Sequence, residues 1–342
     1  MNSMPLVQIH GVDDVRLDRV PEPEHAADDV LVRVAACGIC GSDLGYIAMG
    51  GLTPPGQPMP LGHELSGVVA AVGANVTHLE IGQRVVVNPT ANGTDIGNGG
   101  PEGGFAPLLR VTGVAQHPAS VLPLPDHIGF HHGALVEPLA VAMHGVNQSG
   151  IQPGQSAMVF GAGPIGLCTV IVLRYFGVEN IVVADQSPHR LDIARQLGAS
   201  STCNVKQQNL NELLRQEQGE ALHYGMPVAG TDVYIEATGV GAVLEQAIAL
   251  ARPGARVVVL GVHKAPIQLN PLDLLIKELH LIGSMAYPEE FPAVIEMLAS
   301  GAVDISALIS HQFELQDFMQ ALAVAKNPQL AAKVMININQ PC

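Results

Sequence analysis

Residues Ala157–Leu173 read AMVFGAGPIGLCTVIVL, and this stretch decides the fold. An apolar run from Ala157 to Phe160 stops at Gly161. Gly163 and Gly166 follow in the spacing G-x-G-x-x-G, with Pro164 and Ile165 between them and an apolar stretch of helical composition behind. In a strand–turn–helix unit the three glycines act differently. Gly161 permits the tight turn, Gly163 lets a pyrophosphate approach the backbone, and Gly166 lets the helix pack closely on the sheet. The helix start adds unpaired N–H groups and a partial positive charge. A second apolar run, Ile181 to Ala184, ends on Asp185, 19 residues beyond Gly166. A carboxylate there receives the adenosine ribose hydroxyls of a dinucleotide. The competing reading is a glycine-rich turn with an unrelated surface acid, but strand, glycines, helix and acid fall in register. Asp185 repels a 2′-phosphate, so NAD is expected rather than NADP, although Arg190 is placed where an arginine can accommodate that phosphate.

Working outward, strands and helices alternate from residue 156 onward. Leu191–Leu197 reads as the end of a helix stopped by Gly198, Asp232–Ala237 as a strand and Ala242–Arg252 as a helix. Arg256–Val262 and Leu279–Ser284 read as further strands. This alternation predicts a doubly wound parallel sheet with helices on both faces. The first 110 residues read as β-rich, with strands at Val30–Ala35, Leu65–Val72 and Arg84–Val87, and residues 88–104 (NPTANGTDIGNGGPEGG) read as a long surface loop. Gly133–Val146 is apolar at helical spacing. Toward the end, Glu289–Ser300 and Glu314–Ala325 read as helices and Lys333–Ile338 as a last strand. The expected architecture is α/β, a Rossmann sheet over residues 139–282 inserted into a β-rich domain made of 1–138 and 283–342.

Composition narrows the function. The chain has 342 residues, enough for two cores. Its formal net charge of −15 opposes phosphate backbones and anionic membranes, so neither nucleic acid nor a membrane is an expected partner. The longest uncharged run has the Gly and Pro pattern of a buried strand–turn–helix, not of a span. No basic segment followed by an apolar core opens the chain, and the five cysteines (Cys37, Cys40, Cys168, Cys203, Cys342) form no disulfide framework. The expectation is a cytoplasmic protein. Few charges and many apolar residues suggest subunit contacts.

Three stretches carry metal-type side chains. Cys37-Gly38-Ile39-Cys40-Gly41-Ser42-Asp43 contains one CxxC, which suits a redox pair, half a zinc knuckle or two buried thiols; no second CxxC completes a four-thiolate site. Leu61-Gly62-His63-Glu64 sets two ligand-type side chains next to each other, and Val136-Glu137-Pro138 puts a carboxylate in an apolar segment, costly if buried alone. One thiolate, one imidazole and one or two carboxylates form a zinc set with an open position. Taken singly, Cys40 also reads as a small core residue and His63 as a satisfied histidine. His131, His132 and His144 read as non-ligands.

These stretches and the glycine motif together resemble the zinc-dependent medium-chain dehydrogenase/reductase (alcohol dehydrogenase) family. The likeness runs through GICGSD, LGHE, GQRV, GGFA, EPLAVA, GAGPIG and D-x4-R. The acid of EPLAVA is similar to the sorbitol, butanediol and threonine dehydrogenase branch. The resemblance implies a GroES-like catalytic domain around the Rossmann sheet, and reversible NAD-linked oxidation of a secondary alcohol (a vicinal diol, polyol or similar small molecule) to its ketone. It implies Cys40, His63 and Glu64 as zinc ligands, Glu137 at the metal or its water, Asp43 orienting the histidine and Ser42 relaying the substrate proton. For the cofactor it adds Ile165, Asp185 and Arg190, with the backbone of Leu260, Gly261 and Val262 and of Ser284, Met285 and Ala286 near the nicotinamide. Tyr46 and Tyr287 match substrate-pocket positions, and a homo-oligomer, dimer or tetramer, is implied.

Three departures sharpen the expectation. Residues 88–104 contain no cysteine, so the family's second, structural zinc is expected to be absent, leaving one catalytic zinc per chain. Gly45 stands where a relay histidine often follows, and Ala286 where polyol enzymes carry arginine. The competing readings are a metal-free reductase of the quinone or enone type and a non-enzymatic NAD-binding protein of the same fold.

Overall fold

The computed structural model describes residues 2–91 and 93–339, so Asn92 and Cys342 lie outside the described residues. The chain starts with a hairpin of β1 (Ser3–Gly11) and β2 (Asp14–Pro21), then β3 (Val30–Ile39) and helix α1 (Gly41–Met49). β4 (Met59–Pro60), β5 (Glu64–Val72), β6 (Arg84–Val87), β7 (Leu108–Val111) and β8 (Val121–Pro123) complete the first β-rich part. Helices α2 (Phe130–Ala134) and α3 (Val136–Ser149) lead into β9 (Ser156–Phe160), α4 (Pro164–Tyr175), β10 (Asn180–Asp185), α5 (Pro188–Gln196) and β11 (Ser201–Asn204). Next come α6 (Leu210–Gln218), the hairpin β12 (Glu220–His223) and β13 (Met226–Ala229), β14 (Val233–Glu236), α7 (Gly241–Leu250), β15 (Arg256–Val259), α8 (Pro271–Lys277) and β16 (His280–Gly283). The path ends with α9 (Phe291–Ser300), β17 (Ile309–Glu314), α10 (Phe318–Ala325) and β18 (Lys333–Asn337). None of these helices is long and apolar enough to cross a membrane.

Two sheets dominate. The six-stranded one is parallel throughout, in the order β11-β10-β9-β14-β15-β16. The order reverses between β9 and β14, the point at which a doubly wound sheet opens its ligand crevice. Every residue of β9 is buried, because a central parallel strand is covered on both faces and its sequence runs apolar without alternating. The seven-stranded sheet follows the order β17-β18-β3-β5-β6-β8, with β7 also on β3. Its last strand, β18, runs antiparallel to β3 with Val334 opposite Ile39. The end of the chain thus rejoins the sheet that β3 began.

The largest apolar cluster runs from Ala36 and Val86 of the seven-stranded sheet, through Leu139 and Val146 of α3 and Leu167 and Ile171 of α4, to Val159 and Ile235 of the parallel sheet. A second one fills the β-rich part around Val32, Leu65 and Phe105. Because one apolar cluster bridges the two sheets, the seam between them is a fixed place for a site.

Several elements differ from the sequence reading. β3 continues to Ile39, four residues beyond the strand expected at Val30–Ala35, because its far end gains a second partner in β18. β15 and β16 stop at Val259 and Gly283, short of the strands read to Val262 and Ser284. The helix read from Glu314 begins only at Phe318, since Glu314 still pairs with Asn337 in the β17–β18 ladder. Residues 88–104 are not a simple surface loop: Asn88, Ile96, Gly103 and Gly104 are buried. The loop doubles back on Leu61 and Gly62 through Gly104 N–H to Gly62 O at 2.7 Å and Phe105 N–H to Leu61 O at 3.1 Å.

The glycine turn has the geometry its spacing implies. Gly161 has φ +94°, open to glycine and strained for other residues. A Cβ on Gly166 would lie 1.8 Å from Gly161 O, whereas one on Gly163 meets nothing closer than an Arg190 guanidinium nitrogen at 3.9 Å. Gly166 therefore serves helix–sheet packing, and Gly163 leaves room. Gly166→Ala is expected to push α4 off β9, lowering stability by about 1–3 kcal/mol and weakening dinucleotide binding. Urea unfolding followed by circular dichroism and titration with the reduced dinucleotide check both effects.

Candidate active site

β3 delivers its last residue, Ile39, to the seam, and Cys40 becomes the N-cap of α1 in an extended conformation. The first turn of α1 then presents Ser42 and Asp43. Asp43 is at the third helical position, and its Oδ2 accepts the Cys40 N–H at 2.8 Å. That reciprocal half of a capping box satisfies a donor the helix start leaves free. It also turns Oδ1 the other way, toward His63 Nδ1 at 3.5 Å. Both atoms are buried and neither has a hydrogen-bond partner. His63 Nε2 faces Ser42 Oγ at 3.2 Å. His63 follows Gly62, whose φ of +96° and close contact with Phe105 fix the turn that aims the imidazole.

Cys40, His63 and Glu64 place their ligand atoms within 4.8 Å of one another, the only such cluster of three or more among the described residues. His131 and His144 are engaged elsewhere, with Asn337 at 2.6 Å and Glu290 at 2.7 Å. Glu137, on α3, is buried outside that tight cluster but near enough for its charge to act on His63.

The electrostatics are those of acids crowded out of water. Burial pushes the Asp43 carboxyl up to about 6 against the pull of His63 and the Cys40 N–H. It pushes Glu137 up to about 7, again opposed by His63 and reinforced by Glu64. Burial alone would depress His63, but Asp43, Cys40 and Glu137 together hold it well above the usual histidine range. Burial and the neighbouring Glu137 carboxylate also drive the Tyr287 phenol far up. A thiol, an imidazole with its second nitrogen turned to a carboxylate, and further acids in a sealed place are the donors a divalent cation such as zinc takes. The residues present fit that ion, whose charge would offset the crowded acids.

Tyr46 and Tyr287 both come within electrostatic reach of Cys40 and Glu137. Tyr46 OH donates to Asn98 Oδ1 at 3.1 Å, and its hydroxyl feels Cys40, Asp43 and Glu137. Tyr287 is buried against Phe291, the ring centroids 5.1 Å apart. On the dinucleotide side, Asp185 Oδ2 accepts the Ala162 N–H at 2.7 Å and Oδ1 the Ser187 N–H at 2.8 Å, so the acid is fixed at the mouth of the glycine turn. Arg190 donates from Nε to Ala331 O at 2.8 Å while a terminal nitrogen faces Gly163. Leu260 and Gly261 both donate backbone N–H groups to Glu236 O, and Val262 and Met285 are exposed. Cys168 of α4 is close enough to Lys333, Glu64, Glu137 and Cys40 for each to influence its thiol. The helix behind the glycine turn therefore lies within electrostatic reach of the acid cluster.

Sequence reasoning missed three participants. Asn98 lies in what reads as a surface loop. Lys333 Nζ is 2.7 Å from both Glu64 oxygens, and the only signal for it is a lone lysine opening an otherwise apolar strand. Glu236 is buried at the end of β14, joined to His263 Nε2 at 2.9 Å and accepting the Thr238 and Gly239 N–H groups.

A parallel sheet with a dinucleotide turn, set against a thiol–imidazole–carboxylate cluster that the chain leaves and rejoins, defines a dinucleotide-dependent dehydrogenase with a metal-type site. Comparison with known proteins narrows this. Residues 26–126 match the alcohol dehydrogenase GroES-like domain and residues 164–300 the zinc-binding dehydrogenase domain. Human sorbitol dehydrogenase is 33% identical over 349 residues, covering 98% of this chain and 96% of the relative. The sorbitol dehydrogenase of Bacillus subtilis is 32% identical, covering 99% and 98%. The crystal structure of 2R,3R-butanediol dehydrogenase from Bacillus subtilis superposes with a TM-score of 0.87 at 29% identity, covering 98% of this chain and 100% of that one. The chain belongs to the zinc-type medium-chain dehydrogenase/reductase family and is an NAD(P)-dependent oxidoreductase of the alcohol dehydrogenase kind.

Asp43→Asn is expected to weaken metal binding roughly 10–100-fold, the usual cost of disturbing the partner of a ligating histidine. Competition with a chromogenic chelator measures it, and an unchanged affinity would show that Asp43 does not orient His63.

Proposed function

We propose that this protein reversibly oxidises a secondary alcohol bearing a neighbouring hydroxyl, such as a vicinal diol or polyol, to the ketone, with NAD as hydride acceptor. The observation that carries the reading is the tight cluster of Cys40, His63 and Glu64 beside Ser42, with Cys168 of α4 within its electrostatic reach. Cys40 and His63 would hold one catalytic zinc, with the carboxylates of Glu64 and Glu137 around it. When bound, zinc supplies Lewis acidity, which lowers the pKa of an oxygen it contacts.

The chain's own groups do the rest. Asp43 holds the imidazole with Nε2 toward the pocket. Ser42 Oγ is placed to receive the substrate hydroxyl proton and, being partly exposed, to pass it to water, since Gly45 offers no onward relay. The Tyr46 proton is committed to Asn98, which leaves the phenol oxygen as an acceptor for a second substrate hydroxyl. Tyr287 and Glu137 form the opposite wall. The dinucleotide lies over the turn of Gly161, Gly163, Pro164, Ile165 and Gly166, with the backbone of Leu260–Val262 and Ser284–Ala286 flanking the nicotinamide. The fixed Asp185 carboxylate supports NAD over NADP, because a 2′-phosphate would meet it, and Arg190 is tethered toward Gly163 instead. The cysteine-free loop of residues 88–104, folded on Leu61 and Gly62 by its own backbone, supports the absence of a structural zinc. Four free cysteines among the described residues suit a reducing cytoplasm.

A homo-oligomer is also proposed. β16 is the edge of the parallel sheet, and Leu272, Leu275 and Leu281 are exposed on and beside it. An unpaired edge next to exposed leucines suits pairing with a second copy. Light scattering should give a dimer or tetramer mass, and a monomer at micromolar concentration would reject this.

A screen of diols, polyols and simple secondary alcohols should show NAD reduction, with about one zinc per chain by metal analysis. Cys40→Ala or His63→Ala should abolish turnover while the dinucleotide still binds. Full activity in either variant, or a metal-free active protein, would favour the quinone-reductase type of reaction. Tyr46→Phe should cut the preference for diols over simple alcohols by roughly 5–10-fold, the worth of one hydrogen bond.

A further inference from the structure

Glu236 ends β14, the strand that stands between β9 and β15 where the sheet order reverses. Its side chain is 0% exposed, and its two oxygens are divided between two loops. Oε1 accepts the Thr238 and Gly239 N–H groups at 2.7 and 3.0 Å, and the Thr238 hydroxyl as well. Oε2 faces His263 Nε2 at 2.9 Å; a carboxylate only accepts, so Nε2 carries the hydrogen. The Glu236 carbonyl adds the Leu260 and Gly261 N–H groups. The two loops also meet backbone to backbone. A Cβ on Gly261 would fall 2.1 Å from Gly239 N and 2.6 Å from Glu236 Oε2, and one on Gly239 would fall 2.5 Å from Val262 O.

Glu236 thus ties together two parts of the crevice wall. Thr238 lies against the glycine turn, its Cγ2 2.8 Å from where a Cβ on Gly161 would stand. Val262, on the other loop, is 79% exposed. It is held on one side by the Gly261 N–H and on the other by the His263 ring. An exposed residue whose neighbours are both tied down is a wall built before its ligand arrives, and the ligand is spared the entropy of ordering it. We propose that His263, acting through Glu236, is a positioning residue for the nicotinamide end of the dinucleotide. It fixes the Leu260–Val262 backbone at a set distance from the glycine turn. This rests on the reading above that Leu260–Val262 flank the nicotinamide, and it is independent of the metal, since the pair stands outside the Cys40, His63 and Glu64 cluster.

ADP-ribose carries the adenosine, pyrophosphate and second ribose of NAD but no nicotinamide, so it separates this role from general support of the crevice. In His263→Ala the Kd for NADH, read from its fluorescence, is expected to rise roughly 10-fold, the worth of one hydrogen bond to a charged group. ADP-ribose is expected to bind that variant as it binds wild type, by calorimetry. His263→Gln, whose amide nitrogen reaches about as far as Nε2, is expected to restore NADH affinity. His263→Asn, whose amide falls short of Oε2, is expected to behave as the alanine variant does and replaces it should that one fail to fold. The inference is overturned if the loss of the ring leaves NADH affinity unchanged, if NADH and ADP-ribose weaken by the same factor, or if glutamine does not rescue. Val262→Trp crowds the same wall directly and tests the underlying reading. If it too leaves the ratio of NADH to ADP-ribose affinity unchanged, the nicotinamide does not lie there; if it alone changes the ratio, only the role of His263 falls.

Discussion

The backbone ladder between β3 and β18 is the constraint on which the rest depends. β3 pairs with β5 and β7 as well as β18, and it hands the chain to Cys40. Were the ladder to open, Cys40 would lose its fixed approach, Lys333 its place, and Glu64 the ammonium that faces it. The ladder joins Ile39 to Val334, so it closes a loop of most of the chain. Closure entropy grows only with the logarithm of loop length, which is why so distant a pairing remains tolerable in free energy, but contacts this remote form late and slowly.

Chemistry of the proposed kind needs two sites to face each other at atomic range: a cage that grips oxygen and a crevice that grips a dinucleotide. The cofactor carries the redox chemistry, and the protein contributes distance and field. Here the two are fixed by shared packing, through α3 and α4 in one apolar cluster, and by the Arg190 bond to Ala331 just ahead of β18. Cys168 on α4 lies within electrostatic reach of Glu64 and Glu137.

Much of this was legible in the sequence because it is local. The Gly161–Gly166 spacing, the Asp185 offset and the alternation after residue 156 are read from neighbours along the chain, and the structure keeps them. Cys40, Asp43 and His63 were legible through motif resemblance, and their geometry is set within one helical turn and one glycine turn. What was hidden depends on distant partners. Lys333 and Glu64 are 269 positions apart, and Asn98 meets Tyr46 across 52. Loop 88–104 looked exposed because its residues are turn-formers, yet glycine also permits the close backbone approach that folds it inward: a Cβ on Gly97 would lie 2.3 Å from Gly62 O. The hairpins β1–β2 and β12–β13 escaped notice because their strands are too polar or too short to carry a clean apolar period.

The enclosed lysine also sets an order of events in the cell. Ile39 and Lys333 are 294 positions apart, so a ribosome adding 5–20 residues per second takes about 15–60 s to travel from one to the other. From Glu64 onward the growing chain carries a thiol, an imidazole and an acid with no lysine beside the acid. Any ion captured meanwhile meets a harder and more acidic nest than the finished one, because the Glu64 carboxylate is not yet paired.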